Sequence, residues 1–102
     1  MRLIVFFDLP VATKTERKIY AEFRRFLLND GYYMIQFSVY GRLCNNSEDV
    51  GKHETRLIAN APQSGSIRTL AVTEKQYAGI KILSGKKKER EKSVKGYQIS
   101  FF

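Results

Sequence analysis

The chain carries one cysteine, one histidine and two prolines among its 102 residues. Cys44 alone cannot close an internal disulfide, and together with His53 it cannot build a zinc site. Any metal is therefore expected to be a hard ion held through oxygen, and the compartment a reducing, cytoplasmic one. Long apolar runs are missing too. No window approaches the length of a bilayer span, and Asp8 and Pro10 interrupt the N-terminal apolar run well short of a signal peptide, so neither a membrane nor export is expected. Acids are scarce: 10 Asp and Glu stand against 18 Lys and Arg, giving a net charge of +8 and a pI near 9.8. That imbalance points to a polyanionic partner, nucleic acid ahead of an anionic lipid surface.

What is present suffices for one core. A hydrophobic fraction of 43% and an aromatic fraction of 13% exclude a disordered chain, and the length supports one domain rather than two. Leu3-Ile4-Val5-Phe6-Phe7 is an unbroken apolar run that ends at Asp8 and is closed by Leu9-Pro10. A run without a polar face predicts a central strand covered on both sides. Pro10 lacks an N–H and disfavours helical angles at Leu9, so the chain must leave the sheet there.

Thr13 and Glu16 have capping-box spacing, and Asp30-Gly31 reads as a helix stop. Between them Ile19, Tyr20, Phe23, Phe26 and Leu27 recur at three and four, predicting a core-facing stripe. Lys14, Arg17, Lys18, Arg24 and Arg25 occupy the remainder of that helix, with Lys14, Lys18 and Arg25 aligned as a basic ridge. From Tyr32 the period becomes two. Tyr33, Ile35, Phe37 and Val39 alternate with Met34, Gln36, Ser38 and Tyr40, whose polar members form a row fit either to line a site or to face solvent. Periodicity leaves open whether residues 32–44 form one bent strand or two short ones.

Asn45-Asn46-Ser47 offers several caps for a second helix, Asn45 with Glu48 having the box spacing, and Glu48 and Asp49 suit its dipole. That helix is expected to reach about Asn60, with Val50, Leu57 and Ile58 turned inward, His53 packed or half-exposed between them, and Pro62 beyond its end. Ser66 to Thr73 reads as a strand, Glu74 to Gly79 as a turn or single helical turn, and Ile80 to Leu83 as a short strand. The domain plan is a core over 1–84, a basic charged linker over 85–96 and a C-terminal strand over 97–102 whose natural place is the sheet edge of another subunit.

Strands and helices in this order predict an α+β two-layer sandwich. Asp8, at the mouth of its central strand, then has two readings. As structure, its carboxylate accepts N–H groups of the following turn. As function, it binds Mg²⁺ or Mn²⁺ beside a phosphodiester. One carboxylate is a poor metal site, but a two-fold axis that sets it beside its twin repairs this.

Arg2-Leu3-Ile4-Val5-Phe6-Phe7-Asp8-Leu9-Pro10, the basic first helix, Gln36-Phe37-Ser38-Val39-Tyr40-Gly41-Arg42, Gly65-Ser66-Ile67-Arg68 and Thr73-Glu74-Lys75-Gln76 follow one another in an order that resembles the CRISPR-associated endoribonuclease family. Members are the small partners of the CRISPR integrase in spacer acquisition, and the flavour is similar to the type II subgroup. The resemblance implies a ferredoxin-like βαββαβ core with extra C-terminal strand, a symmetric homodimer, and a divalent ion at Asp8. It implies metal-dependent endonuclease activity on RNA or duplex DNA, and a role as a basic platform under DNA gripped by integrase subunits, with Tyr97 to Phe102 docking on those neighbours. Many members place Tyr before the aspartate; Phe7 here removes a hydroxyl from beside the implied metal.

Three functional readings follow. In the first, Asp8 from each subunit holds the ion while Arg17, Arg42 or neighbouring cations neutralise phosphate. In the second, the chain is a non-catalytic, sequence-independent scaffold that binds through Lys14, Arg17, Lys18, Arg24, Arg25 and Arg42. A third, a single-stranded RNA reader of the RRM type, needs closely spaced aromatics on an inner strand, and Ser66 to Thr73 has none.

Overall fold

The computed structural model describes residues 1–85; the proposed linker past Gly85 and the strand proposed at 97–102 lie outside the described residues. The elements are β1 (Arg2–Asp8), α1 (Lys14–Asn29), β2 (Tyr33–Gln36), β3 (Val39–Leu43), α2 (Ser47–Asn60), β4 (Ser66–Val72) and α3 (Glu74–Ala78). The first six are the βαββαβ order expected. The sheet is antiparallel throughout, in the order β2-β3-β1-β4. β1 is thus an inner strand, as its composition predicts.

Helices α1 and α2 cover one face of that sheet. Leu3, Val5 and Phe7 of β1 pack with Phe23 and Leu27 of α1, Tyr40 of β3, and Val50 and Leu57 of α2. Phe7 is the hub of an aromatic cluster, 5.1 Å from Phe23 edge-on and 5.8 Å from Tyr40. The opposite face carries Ile4, Phe6 and Asp8, with Leu70, Arg68 and Ser66 across from them on β4. Here the expectation of a strand covered on both sides is corrected: Phe6 is 38% exposed and Leu70 56%. An apolar run reports that both faces avoid charge; on this face α3 covers the Arg2 end, where Tyr77 lies over the guanidinium, and no helix of the described residues reaches the Phe6 end.

The helix signals resolve cleanly. Thr13 Oγ1 accepts the Glu16 N–H at 3.1 Å while Glu16 Oε1 accepts the Thr13 N–H at 2.9 Å, which satisfies two otherwise orphaned donors. Gly31, at φ +92°, turns the chain out of α1. Within the stripe Phe23 and Leu27 are buried and Tyr20 and Phe26 pack beside them, but Ile19 is largely exposed. It lines a groove with Leu9, Pro10 and Pro62 instead of entering the core. For α2 the N-cap is Asn46, whose side chain accepts the Asp49 N–H, rather than the Asn45–Glu48 pair. Its inner stripe is Val50, His53 and Leu57; Ile58 is 78% exposed. A spacing of three then four places position 53, not 58, on the face of Val50 and Leu57.

Residues 32–44 form two strands. The break falls at Phe37-Ser38, with Ser38 in the left-handed region at φ +64° and the register shifting between Met34 and Gln36. The slip dissolves the expected polar row, because Tyr40 enters the core at 1% exposure. Ile80 to Leu83 does not form a strand. It pairs with neither edge of the sheet described, and Leu83 stands 92% exposed.

Candidate functional site

Asp8 is the last residue of β1 and its carboxylate is exposed. Pairing on both sides fixes the backbone that carries it: Asp8 lies opposite Ser66 of β4, and the Phe7 N–H donates to the Ser38 carbonyl at 3.1 Å. Gly65, at φ +90°, lets the loop into β4 pass against this strand end. A Cβ there would lie 2.4 Å from the Asp8 carbonyl oxygen, so only glycine fits. Asp8 takes part in none of the ion pairs formed by the described residues.

The carboxylate opens into a cleft of about 490 Å³ lined by Phe6, Phe7, Asp8, Phe37, Ser38, Val39, Ser66 and Arg68. Its donors are hard oxygens, from one carboxylate and two serines, and its cation is Arg68. This set suits Mg²⁺ or Mn²⁺ and no softer metal. It supplies only one anionic ligand, and no group of three or more His, Cys, Asp or Glu that could hold a metal occurs among the described residues. A complete site would need ligands from a second copy or from water.

The Phe7 ring points the other way. Adjacent strand residues face opposite sides, and the ring lies 5.7 Å from Tyr20 and 5.1 Å from Phe23, on the helix side. A tyrosine at position 7 would therefore carry its hydroxyl towards the core, not towards the Asp8 carboxylate, which corrects the expectation that Phe7 removes a group from beside the ion.

Lys14, Arg17, Lys18, Arg24 and Arg25 are all exposed on α1. They occupy the side away from Phe23 and Leu27 and form a basic helix face, as their spacing predicts. Arg17 is partly engaged: its Nη1 donates to the carbonyls of Val11 and Ala12 at 3.1 and 3.0 Å. Arg42 stands apart from this ridge. It is half-buried at the far end of α1, donating from Nε to the Asp30 carbonyl at 2.7 Å and from Nη1 to the Leu43 carbonyl at 2.8 Å. The structure thus gathers the helix cations, and separately gathers Asp8 with Arg68. Neither Arg68 nor Phe37 stands out in the sequence as a site residue: Arg68 comes beside Asp8 only through the pairing of β4 with β1, and the place of Phe37 depends on where the β2–β3 turn falls.

Comparison with known proteins agrees with this architecture. The family model described as "CRISPR associated protein Cas2" matches residues 1–80. The chain belongs to the Cas2 family. A relative from Acidovorax ebreus (strain TPSY), named CRISPR-associated endoribonuclease Cas2, is 57% identical over 102 residues, spanning 100% of both chains. A Cas2 of the same name from Ligilactobacillus salivarius (strain UCC118) is 47% identical over 87 residues, 85% of this chain and 86% of its own. The crystal structure of Streptococcus pyogenes Cas2 at pH 6.5 superposes with a TM-score of 0.64 at 19% identity, covering 82% of this chain and 100% of the other. That likeness establishes the shared Cas2 fold. No helix among the described residues is long and apolar enough to cross a membrane.

Proposed function

We propose that this Cas2-family chain acts in CRISPR spacer acquisition as a homodimeric, sequence-independent nucleic-acid platform for the integrase subunits, and that Asp8 is the metal-binding carboxylate of an endonuclease site. The observation that carries the reading is where Asp8 sits: exposed, at the exit of an inner strand, on the sheet face that α1 and α2 leave uncovered. Phe6, Leu43 and Leu70 leave apolar surface on the same face. Two copies apposed there across a two-fold axis bury that surface and bring two Asp8 carboxylates towards each other. The names borne by relatives at up to 57% identity support endonuclease chemistry.

Asp8 of each copy would hold Mg²⁺ or Mn²⁺, which when bound would supply charge neutralisation and water activation. Arg68 neutralises phosphate at the mouth of the cleft, and β1, clamped by β3 and β4, keeps Asp8 in place. The α1 cations hold the backbone of a duplex, with Arg25 extending the line of Lys14 and Lys18 and Arg24 flanking it. Such contacts read phosphate and not base, so affinity is blind to sequence.

Two measurements test the halves separately. Duplex binding should weaken with salt, and alanine at Lys14, Lys18, Arg24 and Arg25 should flatten the log–log slope by about 0.9 for each phosphate that is no longer neutralised. An unchanged slope removes the ridge. Asp8→Ala should abolish Mg²⁺- or Mn²⁺-dependent cleavage while leaving the melting temperature and duplex affinity as they were. Cleavage at the parental rate in that variant would remove Asp8 from the chemistry.

A further inference from the structure

We propose that the groove between α1 and the loop from α2 to β4 docks an extended segment of a partner protein in which one large apolar side chain stands between two basic ones. The groove has a volume of about 360 Å³, and Leu9, Pro10, Glu16, Ile19 and Pro62 are among the residues that line it. It shares no residue with the Asp8 cleft. A second hollow of about 240 Å³ continues it along α1, from Ile19 and Pro62 to Glu22, Phe23 and Phe26.

The walls are stiff before anything binds. The chain has only two prolines, Pro10 and Pro62, and both line this groove. Each fixes its own φ and offers no N–H that would have to be desolvated. Ile19, which lines both hollows, is 39% exposed: it shares a helix face with Phe23 and Phe26, yet the core does not take it up. Apolar walls that need no ordering lower the cost of seating a guest.

The placing of charge on α1 defines the guest. Ile19, Phe23 and Phe26 fall within about 60° of one another around the helix axis. Glu16 and Glu22, the helix's two acids, stand about 60° to either side of Ile19, whereas Lys14, Arg17, Lys18, Arg24 and Arg25 all lie about 100° or more away. An apolar stripe edged by acids thus runs along a helix that is otherwise basic. Neither carboxylate enters an ion pair among the described residues; Glu16 accepts the Thr13 N–H through Oε1 and keeps its charge. The two acids are about 9 Å apart along the axis, a distance that about three residues of extended chain span. A segment with a leucine-sized side chain between two lysines or arginines three positions apart therefore meets the apolar walls and both carboxylates together. The same acids repel phosphate, so the strip selects a protein and lies beside the nucleic-acid ridge without belonging to it.

Methyl and amide NMR on the full chain tests this with a blocked lysine-leucine-alanine-lysine peptide as the probe. Its controls are the same peptide with glutamate for lysine and with serine for leucine. The probe should shift the Ile19 methyls and the Gln63 and Ser64 amides with a dissociation constant on the order of 1 mM, and the controls should bind about ten-fold more weakly. Glu22→Lys should turn the preference towards the glutamate peptide, and Ile19→Ser should weaken the probe by about ten-fold. Equal shifts with either control, or an unchanged preference in Glu22→Lys, overturn the proposal. If Ile19→Ser instead splits an assembly seen by sedimentation, the occupant of the groove is a second copy. If Ile19→Ser without any peptide moves the resonances of residues 86–102, the occupant is the chain's own C-terminal segment. Either of these results makes the partner reading wrong.

Discussion

Nδ1 of His53 lies 2.8 Å from Oδ2 of Asp30, joining the middle of α2 to the C-terminal cap of α1. The imidazole is 1% exposed, and its Nε2 sits 3.4 Å from Asp49 Oδ1, within ion-pairing range. Arg56 adds a second donor to Asp30, Nη1 to Oδ1 at 2.5 Å. Burial alone would raise the Asp30 carboxyl, but the hydrogen bonds and charges of His53 and Arg56 outweigh it and hold the group below its ordinary value.

The sign of the pH dependence follows. A carboxyl lowered on folding contributes stability that is complete above its unfolded value, near 3.8, and that is lost as the pH falls through the lower folded value. Melting temperatures taken downward from about pH 5 should therefore fall more steeply for the parental protein than for Asp30→Asn. Parallel curves would sink this account of the helix–helix clamp.

A second ion pair makes an asymmetric prediction. Arg2 is 1% exposed; its Nε donates to both Glu74 oxygens at 3.1 and 3.0 Å, its guanidinium lies 4.0 Å from the centroid of the Tyr77 ring, and Nη1 donates to the Tyr33 hydroxyl. Glu74→Ala strands a buried cation and should cost about 3 kcal/mol in urea denaturation. Arg2→Met leaves behind a carboxylate that is one-quarter exposed, so it should cost less, and Arg2→Met with Glu74→Gln should recover part of the single-variant loss. Equal and additive costs would contradict the burial asymmetry.

Gly65→Ala tests the frame of the site. The new Cβ meets the Asp8 carbonyl at 2.4 Å and Leu9 Cδ2 at 2.8 Å, in a backbone at φ +90°, so a stability loss of about 1–3 kcal/mol is expected. Because the atom that must yield belongs to Asp8, cleavage should suffer more than in Leu27→Ala, which destabilises the core remotely. Equal residual activities at a temperature where both variants are folded would detach Gly65 from the site.

Local signals made much of this legible in the sequence. The capping box at Thr13, the stop at Asp30-Gly31 and the strand end at Asp8-Leu9-Pro10 depend on neighbours within a few residues, and the structure keeps each. The inward turn of His53 was legible from its spacing to Val50 and Leu57; the outward turn of Ile58 was not, since hydrophobicity argued against it. The β2–β3 break was hidden because Tyr33 to Tyr40 alternates without a gap, so the slip at Phe37-Ser38 leaves no mark on the pattern. Long-range partners were beyond reach in principle. Nothing near Arg2 announces Glu74, 72 residues away, and the cleft that joins Phe37, Asp8 and Arg68 exists only once three strands lie side by side.

The register of β1 also dictates an order of events during synthesis. Both of its neighbours come later, β3 at Val39–Leu43 and β4 at Ser66–Val72, so five consecutive apolar side chains leave the ribosome long before anything can pair with them. Pairings across such sequence distances close slowly, and an unsatisfied hydrophobic strand is where a nascent chain sticks to others. Ribosome-stalled chains ending before residue 66 should accordingly bind holdase chaperones, and release them once the fourth strand has emerged.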